Sequence, residues 1–217
     1  MICFSGIDGS GKTTLCKNVV NELKCSKIPS RYVYGRFLPV FVAPLFKIVS
    51  MLMLPNKNQQ RPIEPAPESR KRLLRNPVVF RLFMVGILLD QLLRIILKIS
   101  LPSIFQKEVV ICDRYLLDTI VLDVALPCDL NDSEVLELVN QSQRIFPRPD
   151  VSFVVNVPPL IAYQRKRDIH SLEVLERLSN TYLKVGKRLG AIVIDGTFGP
   201  AELKHLVLTK LRSIGLE

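Results

Sequence analysis

The nine residues GIDGSGKTT, positions 6–14, constrain this chain more than any other feature of it. They follow the apolar stretch MICF and precede a segment, Lys12 to about Lys24, in which Leu15, Val19, Val20 and Leu23 fall at helical spacing. Gly6 to Thr13 fits G-x-x-x-x-G-K-[ST] at every fixed position, between a strand and a helix, which is the setting that gives such a match meaning. Glycines let successive backbone N–H groups converge on a phosphate, and the helix N-terminus adds positive potential. Gly6, Asp8, Gly9, Ser10, Gly11, Lys12, Thr13 and Thr14 are therefore expected to hold ATP. Lys12 would span the β- and γ-phosphates, and the Thr13 hydroxyl would ligate Mg2+.

What surrounds the loop bounds the fold. RYVYG (31–35), VVICD (109–113), VSFVVNV (151–157) and AIVID (191–195) are further apolar runs of strand length, the later three nearly continuous, as in parallel strands buried on both faces. Helical patterns separate them, notably over 133–146 and 170–190. Alternating strands and helices predict one α/β domain over 1–217, of the P-loop NTPase type, with a parallel sheet flanked by helices on both faces. Apolar residues at 48% and charged residues at 23% exclude a disordered chain.

A net charge of +10 calls for an anionic partner. Nucleic acid fits poorly, because the chain has no Trp and only 7% aromatic residues to interleave with its cations. Five scattered cysteines without a C-x-x-C pair, and two distant histidines, imply a reducing compartment and no structural metal. No basic leader precedes the first strand, so a cytoplasmic protein is expected.

Two apolar stretches stand apart. Residues 37–55 are broken by Pro39, Pro44 and Pro55, and residues 78–101 carry Arg81, Asp90, Arg94 and Lys98. Neither makes a membrane span, which needs roughly 20 residues with few charges. In the second, Asp90, Gln91, Arg94 and Lys98 share one face within about 100° at ~100° per residue, a narrow polar stripe on an otherwise buried helix. Such a helix suits a core or a dimer interface, with peripheral membrane contact as the alternative. The proline-rich, charged stretch around 56–77 is expected to be a mobile loop.

Among phosphate-loop proteins, a GTP switch would need N-K-x-D after a middle strand; NKNQ at 56–59 lacks the aspartate and comes too early. Small-molecule kinases remain. FSGIDGSGKTTL, VVICDRY, PDVSFVVNVPPLIAYQRKR and IDGT resemble, in order and spacing, the skeleton of thymidylate kinases, closely in those four blocks and loosely elsewhere. The resemblance implies a five-stranded parallel sheet, a homodimer, and transfer of the ATP γ-phosphate to a nucleoside monophosphate. It places Asp113 beside the phosphate loop as a Mg2+ ligand through water, and Arg114 between donor and acceptor. Asp8 resembles the carboxylate that meets the acceptor's sugar hydroxyl. Gly9 stands where some members have an arginine, and it resembles the members that supply the catalytic arginine from a lid. Here the lid is about 163–172, with Arg165 and Arg167 as candidates. Asp195, Gly196 and Thr197 resemble the loop under the adenine.

The acceptor side departs from the family. After D-R-Y, thymidylate kinases typically carry S-[ST]-x-A-Y-Q, whereas this chain has Asp118, Thr119, Ile120, Val121, Leu122 and Asp123. The family's A-D-R reads Leu89, Asp90, Gln91, and the glutamate before the loop is Ser5. Arg36, Gln91, Arg114, Tyr115 and Asp118, with Asp8, are the candidates on this side, with Arg36 best placed to offset the added carboxylates. Three functions stay open: a nucleoside monophosphate kinase, the same chemistry on a hydroxyl of a sugar, glycan or lipid-linked acceptor at a membrane surface, and a non-catalytic ATP-binding regulator.

Overall fold

A computed structural model describes residues 1–36, 74–166 and 170–215. The apolar stretch 37–55, most of the expected loop at 56–77 and Arg167 lie outside the described residues.

Five strands form one parallel sheet in the order β2-β3-β1-β4-β5. They are β1 (Ile2–Ser5), β2 (Ser30–Tyr34), β3 (Val109–Asp113), β4 (Val151–Asn156) and β5 (Ile192–Asp195). The chain fills one side of β1 and then crosses to the other, so β1 marks the switch point where crevices open beyond the carboxyl ends of the strands. The glycine loop leaves β1 there. Alternation within β1 divides the core. Ile2 and Phe4 pack with α1 (Lys12–Cys25) and the C-terminal helix Pro200–Arg212 on one face, where Phe4 stacks on Phe153 at 5.1 Å. Cys3 packs on the opposite face, among the remaining helices.

On that second face, α2 (Pro77–Ile95) begins with Asn76, whose side chain accepts from the N–H groups of Val78 and Val79, and with Pro77 in the first turn. It runs into a π segment, Ile96–Ser100, and a further α turn, Leu101–Phe105. After β3, α3 comprises Leu116–Asp118, a π segment Thr119–Ala125 and a last turn Leu126–Cys128. In each rod a proline, Pro102 or Pro127, stands four residues beyond a carbonyl inside the π segment. A proline ring crowds that carbonyl and offers it no N–H, and a widened turn relieves both. The next helices are α4 (Asp132–Ser142), closed by an Asn131–Glu134 capping box, α5 (Pro159–Arg165), α6 (Leu172–Arg188) and α7 (Pro200–Arg212).

The expected polar stripe on α2 is inverted. Asp90 and Gln91 are buried, while Val78, Leu82, Val85, Leu89, Leu93 and Ile96 are exposed. Periodicity could not say which face turns inward, and the expected grouping holds only in part: Arg94 is half-buried and Lys98, in the π segment, is exposed. Gln91 faces the interior because its amide donates to the Gly35 carbonyl at 2.7 Å and so fixes the end of β2.

Candidate active site

The glycine loop is pressed from two sides. Gly6 and Gly9 have φ of 140° and 84°. A Cβ on Gly6 would come within 2.5 Å of the Val155 carbonyl oxygen, and one on Gly9 within 2.4 Å of that of Ala162 in α5. Only glycine fits at either position. Lys12 is buried at the mouth of the loop, its ammonium donating to the Ile7 carbonyl at 2.6 Å and to Ser10 Oγ at 3.0 Å. Burial pushes its pKa down to about 8, and Arg114 adds to the fall against the pull of Asp118, Asp8 and Asp113. Its two partners are neutral, so a phosphate oxygen would supply the negative charge it lacks.

Asp113 ends β3 fully buried beside that loop. Its Oδ2 accepts from the Thr13 hydroxyl at 2.6 Å and the Tyr32 hydroxyl at 2.9 Å. Its Oδ1, equally buried, has no hydrogen-bond partner among the described residues. Such an orphan acceptor is costly unless a cation or ordered water reaches it. Thr13 and Asp113 thus fit a Mg2+ ion, with Tyr32 fixing the carboxylate's orientation. No group of three or more His, Cys, Asp and Glu among the described residues could hold a metal ion by itself.

Arg114 follows at a φ of 71°, the left-handed region, its own N–H donating to the Phe4 carbonyl at 2.9 Å. The conformation costs about 1–2 kcal/mol for a non-glycine residue, and it turns the side chain into the crevice between the loop and α3. One terminal nitrogen donates to Asp8 at 2.6 Å and the other to Asp118 at 2.9 Å. Asp118 is fully buried and also accepts from the Tyr182 hydroxyl at 2.9 Å and the Tyr115 N–H at 3.4 Å. Burial opposes the charge on Arg114, but Asp118, Tyr182 and Asp8 outweigh it and hold its pKa above the usual range. Burial likewise raises Asp8, yet Arg114, Lys12 and Lys166 prevail and hold it below the usual carboxylate range. Lys166 and His170 lie 3.8 and 3.9 Å from the same carboxylate. Burial lowers the His170 pKa, with Arg36, Arg114 and Lys166 adding to the fall and only Asp8 opposing, which leaves the imidazole neutral at pH 7.

The remaining candidates divide. Arg36 reaches the crevice and pairs with Asp123 at 3.0 Å, both partly exposed. Burial pushes the Asp123 carboxyl up in pKa against the pull of Arg36. Tyr115 is 4% exposed and its hydroxyl donates to the Pro147 carbonyl at 2.8 Å, so its side chain is committed away from the crevice. Arg165, at the end of α5, points a terminal nitrogen at the carbonyls of Gly9 and Gly196, 3.5 Å from each, and so bridges the glycine loop and the turn after β5. In that turn the Asp195 carboxylate accepts from the Thr197 N–H at 2.9 Å and hydroxyl at 2.7 Å. The turn also borders a cavity of about 670 Å³ reaching back to Asn156 and α6. Tyr32, Tyr182 and His170 were not foreseen. Nothing in their local sequence distinguishes a strand or helix tyrosine that meets a carboxylate from one that packs.

No family model matches the chain. It is similar to the thymidylate kinase of Leptospira borgpetersenii, 26% identical over 93% of this chain and 88% of that protein. It is also similar to the probable thymidylate kinases of Metallosphaera sedula, 26% identical over 100% of this chain and 90% of that protein, and of Sulfurisphaera tokodaii, 28% identical over 89% and 86%.

Proposed function

The chain is a distant relative of the thymidylate kinases, and from that premise we propose that it transfers the γ-phosphate of ATP to a nucleoside monophosphate. The observation that carries this reading is the assembly of a donor site with a fixed arginine at its open side: Lys12 in the loop, Thr13 and Asp113 on one hydrogen bond, and Arg114 facing the crevice beyond. ATP lays its phosphates along the loop backbone, where Lys12 meets the β- and γ-oxygens. Thr13 and Asp113 would hold Mg2+, which would neutralise phosphate charge when bound. Arg165, anchored over Gly9 and Gly196, covers the phosphates near the base turn formed by Asp195, Gly196 and Thr197. An acceptor phosphate oxygen attacks in line. Its bond to γ-phosphorus forms as the bond from γ-phosphorus to the β–γ bridging oxygen breaks, and ADP leaves. Arg114 and Arg165 stabilise the charge on the transferring group, so no side-chain base is required. Arg36 offers the acceptor phosphate a cation at the end of β2.

The working unit is a pair of copies. The exposed apolar residues from Val78 in α2 to Ile96, which follows it, recur at steps of four, three, four, four and three, a seam about 27 Å long at 1.5 Å per residue. A seam that narrow matches a second helix of the same kind, and Leu82→Glu with Leu89→Glu should convert a dimer to a monomer in sedimentation. A wild type that is already monomeric overturns this. Among the described residues no helix is long and apolar enough to cross a membrane.

Coupled ADP release with ATP and Mg2+, over a panel of nucleoside monophosphates that includes dTMP, tests the activity. Turnover should appear with at least one acceptor and fall by more than about 10³-fold in Lys12→Ala while the fold survives. Silence across the panel by a protein that binds ATP would defeat the nucleotide acceptor and point to hydroxyl-bearing sugars or lipid-linked glycans. Equal turnover by Lys12→Ala would defeat the donor site.

A further inference from the structure

Asp118 stands where the family resemblance leads one to expect a serine, and a new carboxylate beside a phosphate-binding crevice invites reading as a substrate contact. Its surroundings exclude that. Asp118 is 0% exposed. Oδ1 accepts from Arg114 and from the Tyr182 hydroxyl, both at 2.9 Å, and Oδ2 accepts from the Tyr115 N–H at 3.4 Å. No face of the group is open to a ligand. We propose that Asp118 and Tyr182 are positioning residues which, with Asp8 on the other side, bracket the Arg114 guanidinium and aim its free N–H groups at the transferring phosphoryl group.

The geometry suits that role. Arg114 follows β3, Asp118 is in the first turn of α3 and Asp8 is in the glycine loop, and Tyr182 in the middle of α6 backs Asp118, so four separate elements build one bracket. A guanidinium has five N–H donors. One on each terminal nitrogen is taken by a carboxylate, and no hydrogen bond among the described residues takes the remaining three, in a plane fixed at both ends. A long side chain on a strained backbone would otherwise sample several rotamers, and restricting it before the substrate arrives removes that cost from the chemical step. Asp8 alone would not suffice. It is shared with Lys166 and His170, 3.8 and 3.9 Å away, whereas the charge of Asp118 faces Arg114. Tyr182, 1% exposed, orients the carboxylate from behind and adds no charge.

This inference rests on the kinase reading, and a double-mutant cycle separates the two. Asp118→Asn preserves shape and removes the charge. It should lower turnover about 10–100-fold while leaving the KM for ATP within about twofold, and Tyr182→Phe should lower turnover a fewfold in the same pattern. In an Arg114→Ala background, Asp118→Asn should cost no further turnover, because it acts only through the arginine. There it should also raise the melting temperature, since Arg114→Ala alone strands a buried carboxylate. A residue that served folding alone would shift melting temperatures without this split between kcat and KM. Full turnover by Asp118→Asn, or an additive loss in the Arg114→Ala background, overturns the proposal. If the wild type binds ATP but phosphorylates nothing in the panel, the kinase reading fails. The thermal half of the cycle still decides the bracket, and melting temperatures that add without coupling reject it.

Discussion

On the proposed donor side of the crevice, among the described residues, Lys12 has only neutral hydrogen-bond partners and Asp113 keeps a buried oxygen without one. On the acceptor side the charges are already matched: Arg114 with Asp8 and Asp118, and Arg36 with Asp123. Both sides hold arginine or lysine together with aspartate, yet they would receive a phosphate differently. At the glycine loop the ligand supplies what the protein lacks. Across the crevice it must compete with carboxylates that the protein supplies itself. On the proposed reading, affinity for ATP would lie in the loop, while acceptor binding would depend on how firmly those carboxylates hold their arginines.

Among changes that leave the glycine loop intact, altering the balance across the crevice should have the largest effect. Arg36→Ala should raise the acceptor KM about 10–100-fold, roughly 1.4–2.8 kcal/mol, with the KM for ATP unchanged. Asp123→Asn, which releases Arg36, should move the acceptor KM the other way by a fewfold if the acceptor carries a phosphate. Steady-state kinetics with both variants checks the pair, and a rise in both KM values would mean that Asp123 itself contacts a hydroxyl-bearing acceptor.

A smaller and continuous effect belongs to the donor side. The Lys12 pKa of about 8 lies below its ordinary 10.5 because the free site buries the ammonium. Bound phosphates favour the charged form, so ATP binding above about pH 8 should take up a proton, and affinity should fall by up to about tenfold per pH unit. Calorimetry in buffers of different ionisation enthalpy reads the uptake, and none at pH 9 would remove Lys12 from phosphate binding. The stability term has the opposite trend. Between about pH 8 and 10.5 the unfolded chain binds more protons than the folded one, so the penalty for burying Lys12 is present below pH 8 and relieved as pH rises.

Fold and donor loop were legible for the same reason: each rests on contiguous residues. Nine consecutive positions carry the proposed phosphate site, and the strands from Val109, Val151 and Ile192 show in their own composition. The helix over α2 was legible as a period, but not the direction of its faces. Which face turns inward was decided by Gln91 meeting the Gly35 carbonyl across 56 residues. The π segments before Pro102 and Pro127 could not be foreseen either, because a proline can end, kink or widen a helix according to what packs around it.

By itself the sequence determined a parallel α/β sheet, a glycine loop of the phosphate-binding pattern, and the aspartate that ends β3 with the arginine after it. Tertiary structure alone decided what those side chains face. Tyr32 reaches Asp113 across 81 residues, Tyr182 reaches Asp118 across 64, and Arg114 reaches Asp8 across 106. A strand or helix pattern records only whether a residue is buried. Which polar partner a buried group finds depends on how distant segments are brought together, and in a low-dielectric crevice that partner decides whether a charge is spent inside the protein or left for the substrate.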